Sequence, residues 1–172
     1  MRLTSLTLLL VGACVLFVNQ PASAQTDVSA IIVKHLTTSR DFTLKVADQM
    51  PEADYGFKLT PPQMSFAEQM AHLADDQAGL LAPLTGEKPK PSKPASMSKK
   101  DVMAFVRQSF DQSIAIVSKL TPAQISKSYE GFGGSMTGLE ILMFVLDHTT
   151  HHRASAEMYL RAKGITPAEY EF

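Results

Sequence analysis

The sequence predicts an all-α fold, a bundle of four helices preceded by a cleaved signal segment. Four stretches carry apolar residues at helical spacing, joints rich in proline and glycine separate them, and no stretch sustains the apolar–polar alternation typical of strands. The 172 residues suffice for one domain with a buried core and are too few for two ordinary domains. We therefore expect a single helical domain.

The N-terminal segment has the pattern of a secretory signal peptide. Arg2 precedes an apolar stretch from Leu6 to Val18, and Ala-Ser-Ala at positions 22–24 supplies the small residues that signal peptidase requires. The sequence thus predicts a signal peptide over residues 1–24 and a mature domain over 25–172. The mature protein is expected in the periplasm or outside the cell, with no further attachment to the membrane.

This segment has two other interpretations. A membrane anchor is disfavoured because Asn19, Gln20 and Pro21 cut the apolar run below the roughly 20 residues that a spanning helix needs. A lipoprotein stays open as an alternative, since Val-Gly-Ala before Cys14 loosely matches a lipobox, although the cysteine comes early and apolar residues continue after it.

Composition excludes several classes of function. Cys14 is the only cysteine, so a chain cut after residue 24 has none, and disulfides, thiolate metal ligands and a cysteine nucleophile are ruled out for it. Loss of Arg2 leaves 15 basic and 17 acidic residues, a net charge of −2. Because the chain also lacks a basic stripe, nucleic acid is not expected as a partner.

The first two predicted helices have clear boundaries. Helix one covers residues 28–50 and is stopped by Pro51. Helix two begins at Ser65-x-x-Glu68, a capping box in which each side chain satisfies a free N–H of the first turn, and it runs to about Thr85 before Gly86. The apolar residues that mark helix one are Ile31, Ile32, Leu36, Val46 and Met50.

The last two helices are predicted over about 98–120 and from Thr137 to Gly164, the latter opened by a second capping box with Glu140. Between them, the glycine-rich EGFGGSM at 130–136 does not have the spacing of a phosphate-binding loop. We predict that this stretch is only a connector. The expected buried positions of helix three are Val102, Phe105, Val106, Ile114 and Val117.

Helix four carries three of the five histidines. His148 and His152 lie about 40° apart around a helix and share a face with Ile141, Val145 and Tyr159, whereas His151 falls at the edge of that face. Burying two imidazoles without partners costs about 1–3 kcal/mol each. A metal ion would satisfy both, and so would hydrogen bonds from neighbouring helices; the spacing alone does not decide between these two interpretations.

A metal would need a third ligand, and His35 and His72 are the remaining histidines. His72 lies off the apolar stripe of helix two, in a polar stretch that includes Asp75 and Asp76. Periodicity therefore places His72 in a polar groove or in solvent and does not select it as a ligand. The stripe itself comprises Phe66, Met70, Leu73, Leu81 and Leu84.

Two blocks, MPEADYGFKLTPPQMSFAEQMAHLADDQ and the later DHTTHHR followed by YLRAKGI, resemble the DinB family, including its YfiT-like metal-dependent hydrolases, across nearly the whole mature chain. The resemblance implies a four-helix bundle with a long crossover and a divalent metal held by His72, His148 and His152. Zinc or nickel is the expected ion, with iron or manganese as alternatives. The chain departs from the family pattern after Arg153, where Ala154-Ser155 replaces a frequent Gly-Gln pair.

Three neutral histidines with open coordination positions are typical of a catalytic metal site. We therefore expect an enzyme acting on a small molecule, either a hydrolase or a transferase that uses a low-molecular-weight thiol, as the resemblance implies. The alternatives are a non-catalytic metal-binding or interaction module and a metal-free helical dimer; a homodimer is compatible with each. No catalytic residue is assigned, and the candidates for supporting or acid–base roles are Asp75, Asp76, Asp147 and Glu157. For Arg153, next to the triad, the two interpretations are that it attracts an anionic substrate or that its charged end extends from the edge of the bundle.

Overall fold

A computed structural model describes residues 27–86, 93–131 and 134–171. The predicted signal segment with Cys14 lies outside these ranges, as do residues 87–92 after helix two. The elements in chain order are α1 (Val28–Gln49), a 3₁₀ turn (Glu52–Asp54), α2 (Phe66–Thr85), α3 (Lys99–Val117), α4 (Pro122–Ser126), β1 (Ser128–Gly131), β2 (Gly134–Thr137) and α5 (Gly138–Ala162).

The predicted helix boundaries are confirmed by the caps. Ser65 and Glu68 form a reciprocal capping box at the start of α2, and Thr137 and Glu140 form another at the start of α5. α2 ends at Gly86, whose φ of 70° lies in the left-handed region that glycine adopts without a steric penalty. Local sequence chemistry therefore sets where the long helices begin and end.

The four long helices form one bundle around an apolar core. α1 and α2 each pack against both α3 and α5, so the two helices that are consecutive in the chain stand across the bundle from one another. The segment between them must therefore cross the bundle, in agreement with the expected long crossover. No helix within the described ranges is long and apolar enough to cross a membrane.

The connector between α3 and α5 is more structured than predicted. It contains the short helix α4 and an antiparallel hairpin in which β1 pairs with β2, with Ser128 opposite Thr137 and Tyr129 opposite Met136. The Tyr129 hydroxyl donates to the carbonyl of Gln124, which ties the hairpin to α4. The expectation of no strands was wrong here because strands of four residues are too short to show a periodic pattern.

α5 starts in close contact with α4. A Cβ added to Gly138 would lie 2.5 Å from the carbonyl oxygen of Gln124 and 2.8 Å from Cα of Ile125. Both are backbone atoms, which cannot move aside as the end of a side chain can. Glycine at this position therefore lets the connector approach the helix that carries the histidine pair.

Candidate metal centre

The C-terminal helix presents its histidines from the edge of its buried face. Ile141, Val145 and Tyr159 are buried as predicted. His148 and His152 are only partly exposed, and the fully inward positions beside them are Thr149 and Arg153. The apolar face is thus turned slightly from the predicted one, which places both imidazoles in the groove between α5 and its neighbour α2.

The structure brings the three predicted residues together. One ring nitrogen from each of His72, His148 and His152 can be chosen so that all three lie within 4.8 Å of one another. The ring centroid of His72 lies 5.5 Å from that of His148 and 4.5 Å from that of His152. His72 belongs to α2 and the other two to α5, so an ion bound by all three would join two helices.

The other two histidines are not part of this cluster. His151 is exposed, and although its ring stacks edge-on against that of His152 at 4.9 Å, it is not among the three converging residues. His35 is exposed on α1, which does not carry any of the three. Periodicity predicted that His72 lies either in a polar groove or in solvent. The groove is confirmed, since the side chain of His72 is 32% exposed and faces α5.

Burial keeps two of the imidazoles neutral. Desolvation lowers the pKa of His152 to about 4, with a further lowering from the neighbouring His148 and His72. Desolvation also lowers the pKa of His148, and the nearby carboxylate of Asp76 opposes this in part. Neutral imidazole is the form that binds a metal ion, so both residues are ready ligands at neutral pH.

Asp76 joins the cluster from α2. Its Oδ2 lies 3.1 Å from Nε2 of His148 and 3.5 Å from Nε2 of His72. Of the other acidic candidates, Asp75 is half-buried one position earlier, Asp147 is exposed, and Glu157 pairs with Arg161 at 3.4 Å. A carboxylate this close to two imidazoles can orient them by accepting hydrogen bonds or bind the same ion.

Gln69 supports His152 and was missed in the sequence. Its side-chain amide lies 2.5 Å from Nδ1 of His152, and Gln69 is buried one helical turn before His72. A second contact that fixes the ring orientation of a metal-binding histidine is a recurrent feature of such sites. The sequence signal for Gln69 was its i, i+3 spacing from His72. This spacing is too common among helical residues to single out an amide side chain as a partner of the site.

The donor set fits a divalent metal ion. Three imidazoles suit zinc, nickel, copper or iron. Nδ1 of His148 is buried and has no hydrogen-bond partner within the described part of the chain. Protein groups alone therefore leave the cluster incompletely satisfied, as expected where a partner other than protein belongs.

An open pocket of about 430 Å³ adjoins the cluster. His152 forms part of its wall, whereas His72 and His148 do not. One side of the pocket comes from α5 and the other from the segment before α2. The full lining is Leu59, Pro62, Gln63, Met64, Gln69, His151, His152, Ser155, Met158 and Tyr159.

Arg153 is not in the role proposed for it at the sequence level. Instead of attracting an anion or extending to the bundle edge, it is buried between α5 and α1, at 4% exposure. Its Nη1 donates to Oγ of Ser39 at 2.7 Å, and its guanidinium lies 4.6 Å from the ring centroid of Phe42. Arg153 therefore links two helices within the core and leaves the pocket uncharged on this side.

Fold and site together define a class: a four-helix bundle with a three-histidine cluster, shared between two helices, that could hold a divalent metal ion. Comparison with known proteins agrees with this description. The DinB family model matches residues 23–172, and the chain belongs to the DinB family.

Similar proteins come from two bacilli. The uncharacterized protein YjoA of Bacillus subtilis strain 168 is 25% identical over 146 residues, covering 78% of this chain and 90% of YjoA. The crystal structure of that DinB-like protein has a TM-score of 0.67 at 20% identity over 81% of this chain and 96% of its own. A DinB-like protein from Bacillus cereus ATCC 10987 has a TM-score of 0.71 at 18% identity, covering 81% of this chain and 95% of its own.

Proposed function

We propose that this protein is a metal-dependent enzyme that binds a divalent ion through His72, His148 and His152 and acts on a small molecule. The observation that carries the proposal is the convergence of three imidazoles within 4.8 Å beside an open pocket whose wall includes His152. A catalytic ion needs protein ligands on one side and access for substrate on another. This site offers both.

Zinc and nickel are the ions that we favour, with iron or manganese as alternatives. Neutral imidazole nitrogen suits zinc and nickel and, to a similar degree, iron, whereas manganese prefers oxygen ligands. Manganese would therefore gain from a carboxylate such as Asp76, whose Oδ2 lies beside His148 and His72. The choice of metal thus depends on whether Asp76 joins the three histidines.

A bound ion would supply Lewis acidity, lowering the pKa of a bound water or thiol or polarising a carbonyl. The chain would contribute orientation and access. Gln69 holds the ring of His152, Asp76 holds the rings of His148 and His72, and the pocket admits the substrate next to His152. The two reactions that we propose are hydrolysis and thiol transfer; residues 25–172 contain no cysteine, so any thiol must come from a small molecule.

One observation favours a second candidate, a metal-binding module without catalysis. The carboxylate of Asp76 lies within 3.5 Å of two of the three imidazoles, those of His148 and His72, which makes it a candidate for a fourth protein ligand. Four protein ligands would close the coordination shell, as in structural zinc sites. The ion would then serve to join α2 to α5 and would not meet a substrate.

Elemental analysis of purified 25–172, followed by cobalt substitution, tests both candidates. We expect a stoichiometric divalent metal that is lost when His148 is replaced by alanine. Addition of azide or a simple thiol to the cobalt protein should shift its visible absorption if a coordination position is open. A loaded protein whose spectrum is insensitive to both would exclude the enzyme proposal and support the structural one.

We also propose that the protein is exported and cleaved after Ala24, so that it works in the periplasm or outside the cell. The support is the small-residue site after an apolar stretch in the first 24 residues. N-terminal sequencing of the protein from its native host should begin at Gln25. Retention of Met1, or a lipid attached to Cys14, would contradict the proposal.

A further inference from the structure

We infer that the pocket beside the histidine cluster binds a small molecule with an uncharged, apolar body, and that the polar end of this ligand reaches the metal site at His152. The inference rests on the proposed metal function and extends it by naming the substrate class. It comes from the residues of the pocket and from how the pocket is held open.

Apolar side chains line the pocket from both sides. Leu59, Pro62 and Met64 line it from the segment before α2, and Met158 lines it from α5. The two methionines are 39% and 55% exposed, although most large apolar side chains of this domain are buried. Exposed methionines around a concavity form an adaptable surface for apolar ligands, since the thioether chain is flexible and polarizable.

Two polar groups of the lining lie where the pocket meets the metal centre, and the other polar side chains of the lining, Gln63, His151 and Ser155, do not carry the full charge of an acid, lysine or arginine. Gln69 and His152 contact one another there, and both belong to the lining. In the described part of the chain, no lysine, arginine, aspartate or glutamate lines the pocket. A ligand with a strongly charged body would lose its hydration without gaining an ion pair, so an uncharged body is favoured.

Hydrogen bonds within the protein hold the walls of the pocket in place. The hydroxyl of Tyr159 donates to the carbonyl of Met64 at 2.6 Å, which fixes the segment before α2 to α5. The hydroxyl of Ser155 is turned to the carbonyl of His151 at 2.9 Å, so this small side chain leaves space in the pocket. A volume of about 430 Å³ is within the range of small-molecule sites.

The test uses straight-chain alkyl hydroxamates, in which the head binds zinc and the chain length is the variable. Their affinity for zinc-loaded 25–172 is measured by calorimetry over chains of about two to eight carbons. Each added methylene should strengthen binding about three- to fourfold until the pocket is filled, after which affinity should level off.

Two substitutions test whether the alkyl chain of the hydroxamate lies in this pocket. Met158→Gln should reduce the gain per methylene, whereas Met143→Gln, a similarly exposed methionine at 59% on the same helix outside the lining, should not. Ser155→Leu should fill space and make the affinity level off at a shorter chain. Zinc content should stay stoichiometric in all three variants, because none of them is a proposed ligand.

Several outcomes would overturn the inference. The alkyl chain would lie elsewhere if hydroxamate affinity for the zinc protein did not depend on alkyl length. The same conclusion would follow if neither Met158→Gln nor Ser155→Leu changed that dependence. Equal binding of the long hydroxamates to zinc-free His148→Ala would show that the head does not reach the metal. Failure of the proposed metal function is recognised separately, as the absence of zinc from the wild-type protein before any titration.

Discussion

The carboxylate of Asp76 on α2 lies 3.1 Å from Nε2 of His148 on α5 and also 3.5 Å from Nε2 of His72 on its own helix. One acid therefore contacts two of the three proposed metal ligands and connects the two helices that carry them. In the proposed metal site, Asp76 as a fourth ligand would close the coordination shell, whereas Asp76 as a hydrogen-bond acceptor would leave it open.

Asp76→Asn and Asp76→Ala should each weaken zinc affinity about 10- to 100-fold, the range found when a group that orients a metal ligand is removed. Competition with a chromophoric chelator measures the change. Asp147→Asn, which removes the same charge from an exposed position next to His148, serves as control and should have a much smaller effect. Equal effects at positions 76 and 147 would indicate that charge alone, and not contact, is responsible.

His148→Ala should abolish stoichiometric metal binding, whereas His151→Ala should keep it. The physical reason is that His148 converges with His72 and His152, whereas His151 is exposed and is not among the three converging residues. Metal content after dialysis, measured by elemental analysis, distinguishes the two. Similar losses from both variants would mean that the ion is bound by a different set of nitrogens.

His72→Ala should remove the stabilisation that metal provides. An ion at 100 times its dissociation constant adds about 2.7 kcal/mol to the unfolding free energy of a protein that binds it only when folded. Thermal unfolding with chelator and with added zinc measures the difference, and the exposed His35→Ala is the matched control. A full zinc-dependent rise in Tm in His72→Ala would show that His72 is not a ligand.

The metal-free protein should become less stable as the pH falls from about 6.5 toward 4. Because burial lowers the pKa of His152 to about 4, the unfolded chain binds more protons than the folded one in this window, and stability rises with pH across it. The test is the Tm of the protein in chelator, measured between pH 7 and 5. This window lies above the pKa values of ordinary carboxylates, so their titration contributes little. His152→Gln should reduce the slope, and His148, whose pKa burial also lowers, should account for part of what remains. His35→Gln should not reduce it; an unchanged slope in His152→Gln would contradict the assignment.

Gly138→Ala should destabilise the fold by about 1–3 kcal/mol, since the added methyl group meets backbone atoms of Gln124 and Ile125. Gly79→Ala, within α2, meets nothing within 4 Å and should stabilise by up to about 1 kcal/mol. Urea unfolding of both metal-free variants gives the comparison. A neutral Gly138→Ala would show that α4 moves away from α5 at little cost.

The sequence by itself determined the four long helices and the histidine pair of α5. Capping boxes at Ser65 and Thr137 and the glycine at 86 act within one or two turns, so their effect can be predicted without knowing the fold. The i, i+4 spacing of His148 and His152 likewise places them on one face of any helix.

Tertiary structure decided which other groups meet that pair. His72, Asp76 and Gln69 reach it only because α2 packs beside α5, a contact that periodicity within either helix does not contain. The rotation of α5 also depends on packing: burial of Arg153 against Ser39 and Phe42 turns the histidines from the core toward the groove. Local pattern fixes a face to within about one residue, whereas the neighbouring helices determine what each side chain contacts.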